Sequence, residues 1–447
     1  MRKTLFKAHL VLFWLLVCLT ALTGDVEPIC LAATADLHGN CAQISYGVSQ
    51  QIRQYQQLYP QRVIYVDAGD TAQGTGVVNR RRGSGVMTLL AQVGCTVWVP
   101  GNHDLEFGVT ALSNIIREFP HTVLAANLKI PELDNKIQAW KMIEKSGVKI
   151  AFIGLTVNNI ERCFPVDPRR LNSWQEIASL RGAVRDCRAA GAEVIVLIRH
   201  AGKYGGGMNL KTLLKNFPEI DLVIGGHSHL ADPGSKVGQS WFVQPPAYGR
   251  GMAEIILHFD KSKRRLKIAE SRIVDLPEFS ENPDSQLPVF PSLKGEKADF
   301  TARMMQKYMQ SDLALYLIEN QSAMAELLTL EQPAPEVYYR AYPHFDAIVT
   351  VLLTAEELIE ILSEYLPYAR SRQGLLTSAG FRFESSGGRL RTIGFSEVKH
   401  KYRLALSAFA AAGAGGKLPR TRQILLDRID TKSADHAPGI LDIVLAQ

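Results

Sequence analysis

The sequence has few of the features that mark nucleic-acid-binding, membrane-spanning or repeat proteins. Its net charge is only +6 over 447 residues, and Arg80-Arg81-Arg82 is its tight basic triplet, so we expect no nucleic-acid partner. After residue 24 no stretch approaches the ~20 apolar residues that span a bilayer, and there is no internal repeat or low-complexity tract. The composition, 46% hydrophobic and 21% charged, is that of an ordinary globular protein.

Cysteine is scarce and shows no CxxC pairing. Of the six cysteines, Cys18 lies in the apolar N-terminal segment and five follow it, so at least one of those five thiols is free. Export would permit disulfides, and Cys163 with Cys187 is the pair to test first. The alternative is that the cysteines are buried and unpaired.

The N-terminus has the pattern of a secretory signal peptide. Arg2, Lys3 and Lys7 precede an uncharged stretch from Ala8 to Gly24. We expect cleavage after Thr23 and export to the periplasm or cell envelope, with no stable membrane span left after removal. The alternative is an uncleaved anchor, although the apolar run falls short of the ~20 residues that cross a bilayer.

The length exceeds what one hydrophobic core usually organises, which predicts two domains. After the signal peptide at 1–24, residues 25–275 alternate short apolar runs with amphipathic ones, as expected of a layered α/β domain. The last predicted strand of this range, Met252 to Asp260, is expected to be half exposed, with His258 at the surface. Residues 276–297 are rich in proline and polar residues and predict a linker. Residues 298–447 predict a smaller α/β or α+β domain. Within it, Thr354 and Glu357 have the spacing of a capping box, which predicts a helix that begins there and ends near Tyr365.

Side chains able to bind metal follow five predicted strands. The strands are Cys30–Thr34, Val63–Val66, Cys95–Val99, Glu193–Ile198 and Ile220–Ile224. The candidates that follow them are Asp36, His38, Asp70, Asn102, His103, His200, His227 and His229. These include five of the eleven histidines, and a chance grouping of so many at strand ends is not expected of core or surface histidines.

Imidazole, carboxylate and amide groups together are ligands for Zn, Mn, Fe or Co, and the lack of cysteine at these strand ends argues against a thiolate site. So many ligands indicate a pair of ions about 3.5 to 4 Å apart, with the water between them acting as a nucleophile near neutral pH. We assign Asp36, His38 and His229 to one ion, Asn102, His200 and His227 to the other, and Asp70 to both. His103 is then the general acid or charge stabiliser.

The order Asp-x-His, Gly-Asp, Gly-Asn-His-Asp, His and Gly-His-x-His resembles the metallophosphoesterase signature. Stretches such as Asp70–Thr75 and Gln244–Arg250 resemble the secreted 5'-nucleotidase family, and the similarity extends from Leu31 to Asp260. The resemblance implies a four-layer α/β/β/α catalytic domain with two divalent metals. It also implies that an acidic residue three positions after the catalytic histidine orients it. That residue is Glu106, where the family usually has Asp, and Asp104 is the alternative.

The second domain resembles the family's C-terminal substrate domain only in part. His344 stands where a base-stacking Phe is expected, and Leu317–Ser322 lacks the glycine pair and arginine of the family's substrate loop. We therefore predict His344, Phe345 and Phe409 as substrate-binding residues, with core packing as the alternative for Phe409.

Three functions compete. The first is metal-dependent hydrolysis of phosphoesters, nucleotides or related small phosphate esters, by a hydroxide bridging the two metals. The second is hydrolysis of a different anionic ester on the same fold, as in the thiosulfate-releasing enzymes that resemble this family. The third is a non-catalytic envelope binding protein, which would have no need of the complete ligand set.

Overall fold

A computed structural model describes residues 27–158, 160, 163–166, 170–173, 175–260, 265–279, 292–333, 335–342 and 344–446. The predicted signal peptide at 1–24 and the centre of the predicted linker, 280–291, lie outside these described residues. No helix within the described ranges is both long and apolar enough to cross a membrane.

The strands follow the apolar runs of the sequence. In chain order they are β1 (Ile29–Thr34), β2 (Val63–Asp67), β3 (Cys95–Trp98), β4 (Thr122–Leu124), β5 (Leu128–Lys129), β6 (Ile137–Gln138), β7 (Trp140–Lys145), β8 (Val148–Leu155), β9 (Asn172–Ser173), β10 (Val194–Arg199), β11 (Leu222–Gly225), β12 (Asp232–Val237), β13 (Ser240–Gln244), β14 (Gly251–Asp260), β15 (Arg265–Asp275), β16 (Leu313–Ile318), β17 (Ile348–Leu353), β18 (Leu375–Ala379), β19 (Phe381–Ser386), β20 (Arg389–Phe395) and β21 (Tyr402–Ser407).

The α-helices are Cys41–Gln43, Ser49–Leu58, Gly76–Arg80, Val86–Gln92, Val109–Glu118, Glu176–Ala189, Leu210–Asn216, Phe300–Tyr308, Gln321–Leu327, Pro335–Ala341, Ala355–Ser371, Ala408–Ala411, Pro419–Leu425, Thr431–Asp435 and Ile440–Leu445. Short 3₁₀ turns include His103–Leu105, which carries the candidate catalytic residues. A π-helical segment, Ile44–Val48, joins the first two helices.

Two large sheets pack face to face in the first part of the chain. Within the described residues, one sheet has the order β15-β14-β1-β2-β3-β4-β6 and the other β12-β13-β11-β10-β8-β7. Between them lies a core built from both sheets, with Leu31 and Val66 on one side and Phe152 and Val196 on the other. Helices cover the two outer faces, through separate cores. This is the predicted four-layer α/β/β/α arrangement.

The second part of the chain has its own sheet, in the order β17-β21-β16-β18 among the described strands. Its fully buried central strand β16 has apolar residues on both faces, and helices such as Phe300–Tyr308 and Ile440–Leu445 pack on one of them. The prediction of a smaller α/β or α+β unit therefore agrees with the observed elements. The exact domain boundaries at 275 and 298 stay a prediction.

Two local expectations are wrong. The sequence predicts that Met252 to Asp260 is half exposed and that His258 is a surface residue, but β14 is buried except for half-buried His258 and Asp260. The strand lies between β1 and β15, and its alternate side chains enter two different cores, as Ile255 and Ile256 do.

The second wrong expectation is the disulfide between Cys163 and Cys187. Among the described residues Cys163 and Cys187 are not joined by a disulfide, and Cys30, Cys41 and Cys95 are not in one either. Cys187 lies on the buried face of the helix Glu176–Ala189. The alternative of cysteines without disulfides therefore describes these five residues, although Cys41 and Cys163 are only half-buried.

Candidate metal centre and active-site cleft

The candidate ligands meet at one edge shared by the two large sheets. β1, β2 and β3 run parallel to one another, as do β10 and β11, so the loops that leave their carboxyl ends emerge together. Hydrogen bonds join the loops of the two sheets. The backbone N–H of His227 donates to the Asp36 carboxylate over 2.9 Å, and the Nδ1 of His200 lies 2.6 Å from the Ala68 carbonyl oxygen.

Five of the predicted ligands have a left-handed backbone, which L-residues seldom adopt. Their φ angles are 55° for Asp36, 46° for His38, 54° for Asp70, 69° for His227 and 57° for His229. Each such residue costs of order 1 kcal/mol or more, and such strain clusters where function requires it. The surrounding contacts therefore hold these five side chains at one place against their backbone preference.

The first candidate cluster contains Asp36, His38 and His229, whose possible ligand atoms all lie within 4.8 Å of one another. The Nε2 atoms of His38 and His229 are 3.1 Å apart, and His229 Nε2 is 3.6 Å from Asp36 Oδ1. On its far side the His38 ring contacts Gln73, with Nδ1 at 3.2 Å from the amide oxygen. A partner on the second ring nitrogen is what fixes a metal-binding histidine in orientation.

The second candidate cluster contains Asp70, His200 and His227, again within 4.8 Å. Asn102 joins it, because its Oδ1 lies 2.8 Å from His227 Nδ1. His200 Nε2 and Asp70 Oδ2 are 3.0 Å apart, yet among the described residues both are buried atoms without a hydrogen-bond partner. An unsatisfied buried charge is costly, and a cation between them would satisfy both atoms. The donor set thus fits divalent metal ions.

In the metal-free site two candidate ligands, His38 and His227, are already in the form that coordinates a cation, whereas Asp36 and His200 would release a proton on binding. Burial lowers the pKa of His38 and of His227 to about 4, so both imidazoles are neutral and able to coordinate at pH 7. Burial also raises the pKa of Asp36 to about 7, an effect that the charge of His200 partly offsets. Burial opposes the charge on His200, but the Asp70 carboxylate beside it raises the His200 pKa to about 10.

His103 lies beside these clusters and is oriented by Glu106. The Nδ1 of His103 is 3.0 Å from Glu106 Oε2, and its backbone N–H donates to Asp70 Oδ1 over 2.8 Å. Burial opposes protonation of His103, but the charge of Asp70 and the hydrogen bond to Glu106 raise its pKa to about 9. In the metal-free protein the His103 imidazole is therefore in its protonated, positively charged form at neutral pH.

Asp104, the alternative orienting residue, has a different position. Its carboxylate is fully buried and accepts hydrogen bonds from the backbone N–H groups of Asp70, Thr71, Ala72 and Gly101. These bonds tie the loop after β2 to the turn after β3. Gly101 is needed at this contact, because a Cβ there would lie 2.2 Å from Asp70 Oδ1.

A cleft of about 820 Å³ opens beside the second cluster and His103, and its far wall comes from the second part of the chain. Two of the predicted substrate residues, His344 and Phe409, line it. Phe409 is 36% exposed, which leaves an aromatic face accessible. Phe345 does not line the cleft, because its ring is buried edge-to-face against Phe107 with centroids 4.9 Å apart. Its position contradicts the prediction that its ring contacts substrate.

The sequence reasoning missed several charged residues of the cleft. Glu319 and Arg372 form an ion pair there, with Arg372 Nε 3.3 Å from Glu319 Oε1. Half-buried Asp346 accepts a hydrogen bond from the Tyr316 hydroxyl. No motif marks these residues, and only the folded second part of the chain brings them together.

A comparison with protein families indicates the class of the first part of the chain. Residues 31–231 match the profile of the calcineurin-like phosphoesterases, and this range, slightly less than half of the chain, contains all of the candidate metal ligands described above. This part of the chain is therefore similar to calcineurin-like phosphoesterases. The chain is also similar to 5'-nucleotidases, which confirms the resemblance seen in the motifs.

The similarity to individual proteins is distant. The 5'-nucleotidase of Rattus norvegicus is 24% identical over 243 residues, which are 48% of this chain and 41% of the rat protein. The chain thus spans about two fifths of that relative's length.

Solved structures extend the likeness to the second part of the chain. A putative 5'-nucleotidase from Staphylococcus aureus superposes with a TM-score of 0.69 at 16% identity, covering 90% of this chain and 96% of that one. The sulfate thiohydrolase SoxB of Thermus thermophilus superposes with a TM-score of 0.55 at 15% identity, covering 89% and 94%. At these identities the likeness concerns the fold.

Proposed function

We propose that this chain is a divalent-metal-dependent hydrolase of small phosphate esters, with 5'-nucleotides as its favoured substrate class. The observation that carries the proposal is the buried pair Asp70 Oδ2 and His200 Nε2, 3.0 Å apart and without hydrogen-bond partners among the described residues. Both atoms belong to the second of the two clusters of candidate metal ligands. The match of residues 31–231 to the calcineurin-like phosphoesterases and the similarity to 5'-nucleotidases support the reaction class.

Seven residues would hold two divalent ions, of Mn, Zn, Co or Fe. Asp36, His38 and His229 would form the first set, Asn102, His200 and His227 would form the second, and we propose that Asp70 would be shared by both. Such a pair, when bound, supplies Lewis acidity at the phosphoryl group and makes water nucleophilic near neutral pH.

The chain's own residues supply orientation and a proton. With Nδ1 of His103 held by Glu106, the other ring nitrogen, Nε2, is the one that faces substrate in the cleft. A protonated imidazole there neutralises charge on the phosphoryl oxygens and gives its proton to the leaving-group oxygen.

The second part of the chain would hold the rest of the substrate. Phe409, exposed on the cleft wall, offers a face on which a nucleobase can stack. The nearby cation Arg372 is paired with Glu319, so it contributes less net attraction for an anion than an unpaired arginine. We therefore propose nucleotide preference without strict selection, with Phe409→Ala raising KM for nucleotides more than KM for an aryl phosphate.

We also propose that the chain is exported to the periplasm or cell envelope. The basic residues and apolar run at 1–24 support this proposal. N-terminal sequencing of the protein recovered from its natural compartment tests it. A new N-terminus near Asp25 is expected, whereas recovery with residues 1–24 in a membrane fraction supports the alternative of a retained anchor.

A substrate panel tests the proposed reaction. The protein is assayed with p-nitrophenyl phosphate, the four common nucleoside 5'-monophosphates and a thiosulfate ester, each with added Mn, Co or Zn. We expect metal-stimulated release of phosphate, faster from nucleotides, and loss of turnover in His103→Ala. Turnover of the thiosulfate ester alone would favour the different-anion hydrolase, and binding without turnover of any ester would favour the binding protein.

A further inference from the structure

The Glu106 carboxylate lies between the two parts of the chain and contacts both. Its Oε2 faces His103 Nδ1 at 3.0 Å within the first part. Its Oε1 accepts a hydrogen bond of 2.8 Å from the backbone N–H of Phe345, which belongs to the second part. The residue that orients His103 therefore has one oxygen held by each part.

His344 adds two further contacts at the same place. Its ring stacks on the ring of His103, with centroids 5.2 Å apart and planes 8° from parallel. Its Nδ1 lies 3.7 Å from Glu106 Oε1, an ion-pair distance, and among the described residues this nitrogen has no hydrogen-bond partner. The other ring nitrogen lies 3.5 Å from Glu319, which pairs with Arg372. Glu319 therefore holds one side of the His344 ring, and the ring face of His344 packs against His103.

An apolar contact between the next residues of the two loops holds them in the same alignment. Phe107 follows Glu106, Phe345 follows His344, and the two phenylalanine rings meet edge to face. The Phe345 ring also lies beneath the Arg82 guanidinium, 5.1 Å from its centroid. Successive residues of the turn after β3 therefore contact successive residues of the loop before β17.

From these contacts we propose that His344 and the backbone N–H of Phe345 position the catalytic pair His103 and Glu106. This pair then has its active orientation only when the second part of the chain packs against the first. We call Glu106, His344 and the Phe345 N–H the latch. His344 is here a positioning residue, not a group that contacts the nucleobase. The proposal rests on the proposed function, since it concerns the reaction of His103.

The length of Glu106 matters to the latch. A glutamate has one methylene more than an aspartate, which lets its carboxylate bridge His103 and the Phe345 N–H at 3.0 and 2.8 Å. An aspartate on the same backbone falls short of one of the two partners. The latch therefore predicts that Glu106→Asp, although it keeps the charge, loses most of the activity.

The kinetic test uses a substrate too small to need a nucleobase site. With p-nitrophenyl phosphate, His344→Ala and Glu106→Asp should each lower kcat about tenfold or more with little change in KM, because a shift near 1 Å at reacting groups has effects of that size. A nucleoside 5'-monophosphate should show the same factor. The matched control is His400→Ala, at an exposed histidine of the second part.

Two conservative variants separate the contacts of His344. Asparagine carries an amide at the position of the imidazole Nδ1, which faces Glu106, and glutamine carries one at the position of Nε2, which faces Glu319. The latch predicts that His344→Asn restores part of the lost kcat and that His344→Gln does not. A substrate-stacking role predicts instead that His344→Phe restores full activity and that His344→Ala raises only the KM for nucleotides.

Unfolding of the metal-free protein gives a second readout. The latch predicts that His344→Ala and Glu106→Gln each lower the urea midpoint and that the double variant is no lower than the lower single variant, since the two groups share contacts.

The outcomes distinguish the two proposals. Wild type that hydrolyses no ester overturns the proposed function, and the unfolding midpoints then still test the contact. Active wild type with an unchanged kcat for p-nitrophenyl phosphate in His344→Ala or Glu106→Asp overturns the latch. Additive midpoint shifts overturn it as well.

Discussion

Asp104 and Glu106 are two residues apart but hold different parts of the active-site turn. Asp104 accepts four backbone N–H groups and fixes the loop that carries Asp70. Glu106 instead contacts the His103 imidazole. The turn thus uses one carboxylate for backbone geometry and another for side-chain orientation.

These two roles predict different effects of two conservative substitutions, one mainly on kcat and the other mainly on stability. Glu106→Gln should lower kcat about a hundredfold, because it removes the charge that holds a proton on His103. Asp104→Asn should lower the free energy of unfolding by about 2 to 3 kcal/mol, since its NH₂ group would face backbone donors. The measurements are kcat with p-nitrophenyl phosphate and urea unfolding. A larger loss of kcat in Asp104→Asn, with its stability intact, would transfer the orienting role to Asp104.

Much at this scale could be predicted from the sequence, because the candidate ligands directly follow apolar runs that become parallel strands. The clusters Asp36-His38-His229 and Asp70-His200-His227 match the predicted grouping, though metal binding by them remains a prediction. Phe345 and Glu319 could not be placed, because their positions depend on how the second part of the chain folds.

At the scale of elements, the long helix Ala355–Ser371 shows how a local signal fixes one end and not the other. The predicted capping box is present, with Thr354 and Glu357 bonded to each other's backbone N–H. The sequence predicts an end near Tyr365, but the helix continues through Pro367 to Ser371 because Leu366 and Ala369 remain buried. Tertiary packing therefore sets the end of this helix.

The capping residue Glu357 also predicts a pH-dependent stability. The bidentate ion pair with Arg428, with bonds of 2.7 and 2.5 Å, lowers the pKa of Glu357 from 4.5 to about 2. A lowered folded-state pKa gives stability that is full above the unfolded pKa and is lost as the pH falls toward 2.

Arg428→Met should therefore lower the free energy of unfolding at pH 7 by about 1 kcal/mol or less, since the pair is partly exposed. The difference from wild type should shrink below pH 4.5 and be small near pH 2, as followed by urea unfolding at several pH values. A difference that stays constant over this range would show that Arg428 acts through packing.

At the scale of the whole molecule, the two parts of the chain are joined by a buried carboxylate. Asp435, 3% exposed, lies in the helix Thr431–Asp435 and accepts hydrogen bonds from the backbone N–H and hydroxyl of Thr110 and from Arg170. Thr110 lies in the first turn of the helix Val109–Glu118, so this carboxylate meets a helix N-terminus. The contact anchors the second part to the helix that follows the active-site turn.

Asp435→Ala should lower the free energy of unfolding by about 3 kcal/mol, because it leaves Arg170 and a helix N-terminus unpaired in a buried contact. The exposed aspartate Asp427 provides the matched control Asp427→Ala. Equal urea unfolding curves for the two variants would show that the Asp435 contact contributes little.

The layered α/β architecture of the first part of the chain could be predicted from alternating apolar and amphipathic runs, and the fold comparison confirms this fold class. The arrangement of the second part against the first could not. It depends on contacts such as Asp435 with Thr110 and Glu106 with Phe345, whose partners are 325 and 239 residues apart in sequence. Local patterns carry no information over such separations.

The number of metal ions bound per chain tests the central claim most directly. Equilibrium dialysis against Mn²⁺ should give two ions per wild-type chain, and fewer than one tightly bound ion in Asp70→Asn, because both candidate sites lose a shared ligand. The exposed control Asp427→Asn should bind as wild type does. Binding of no Mn²⁺, Co²⁺ or Zn²⁺ by wild type, or equal binding by Asp70→Asn, would contradict the two-ion account.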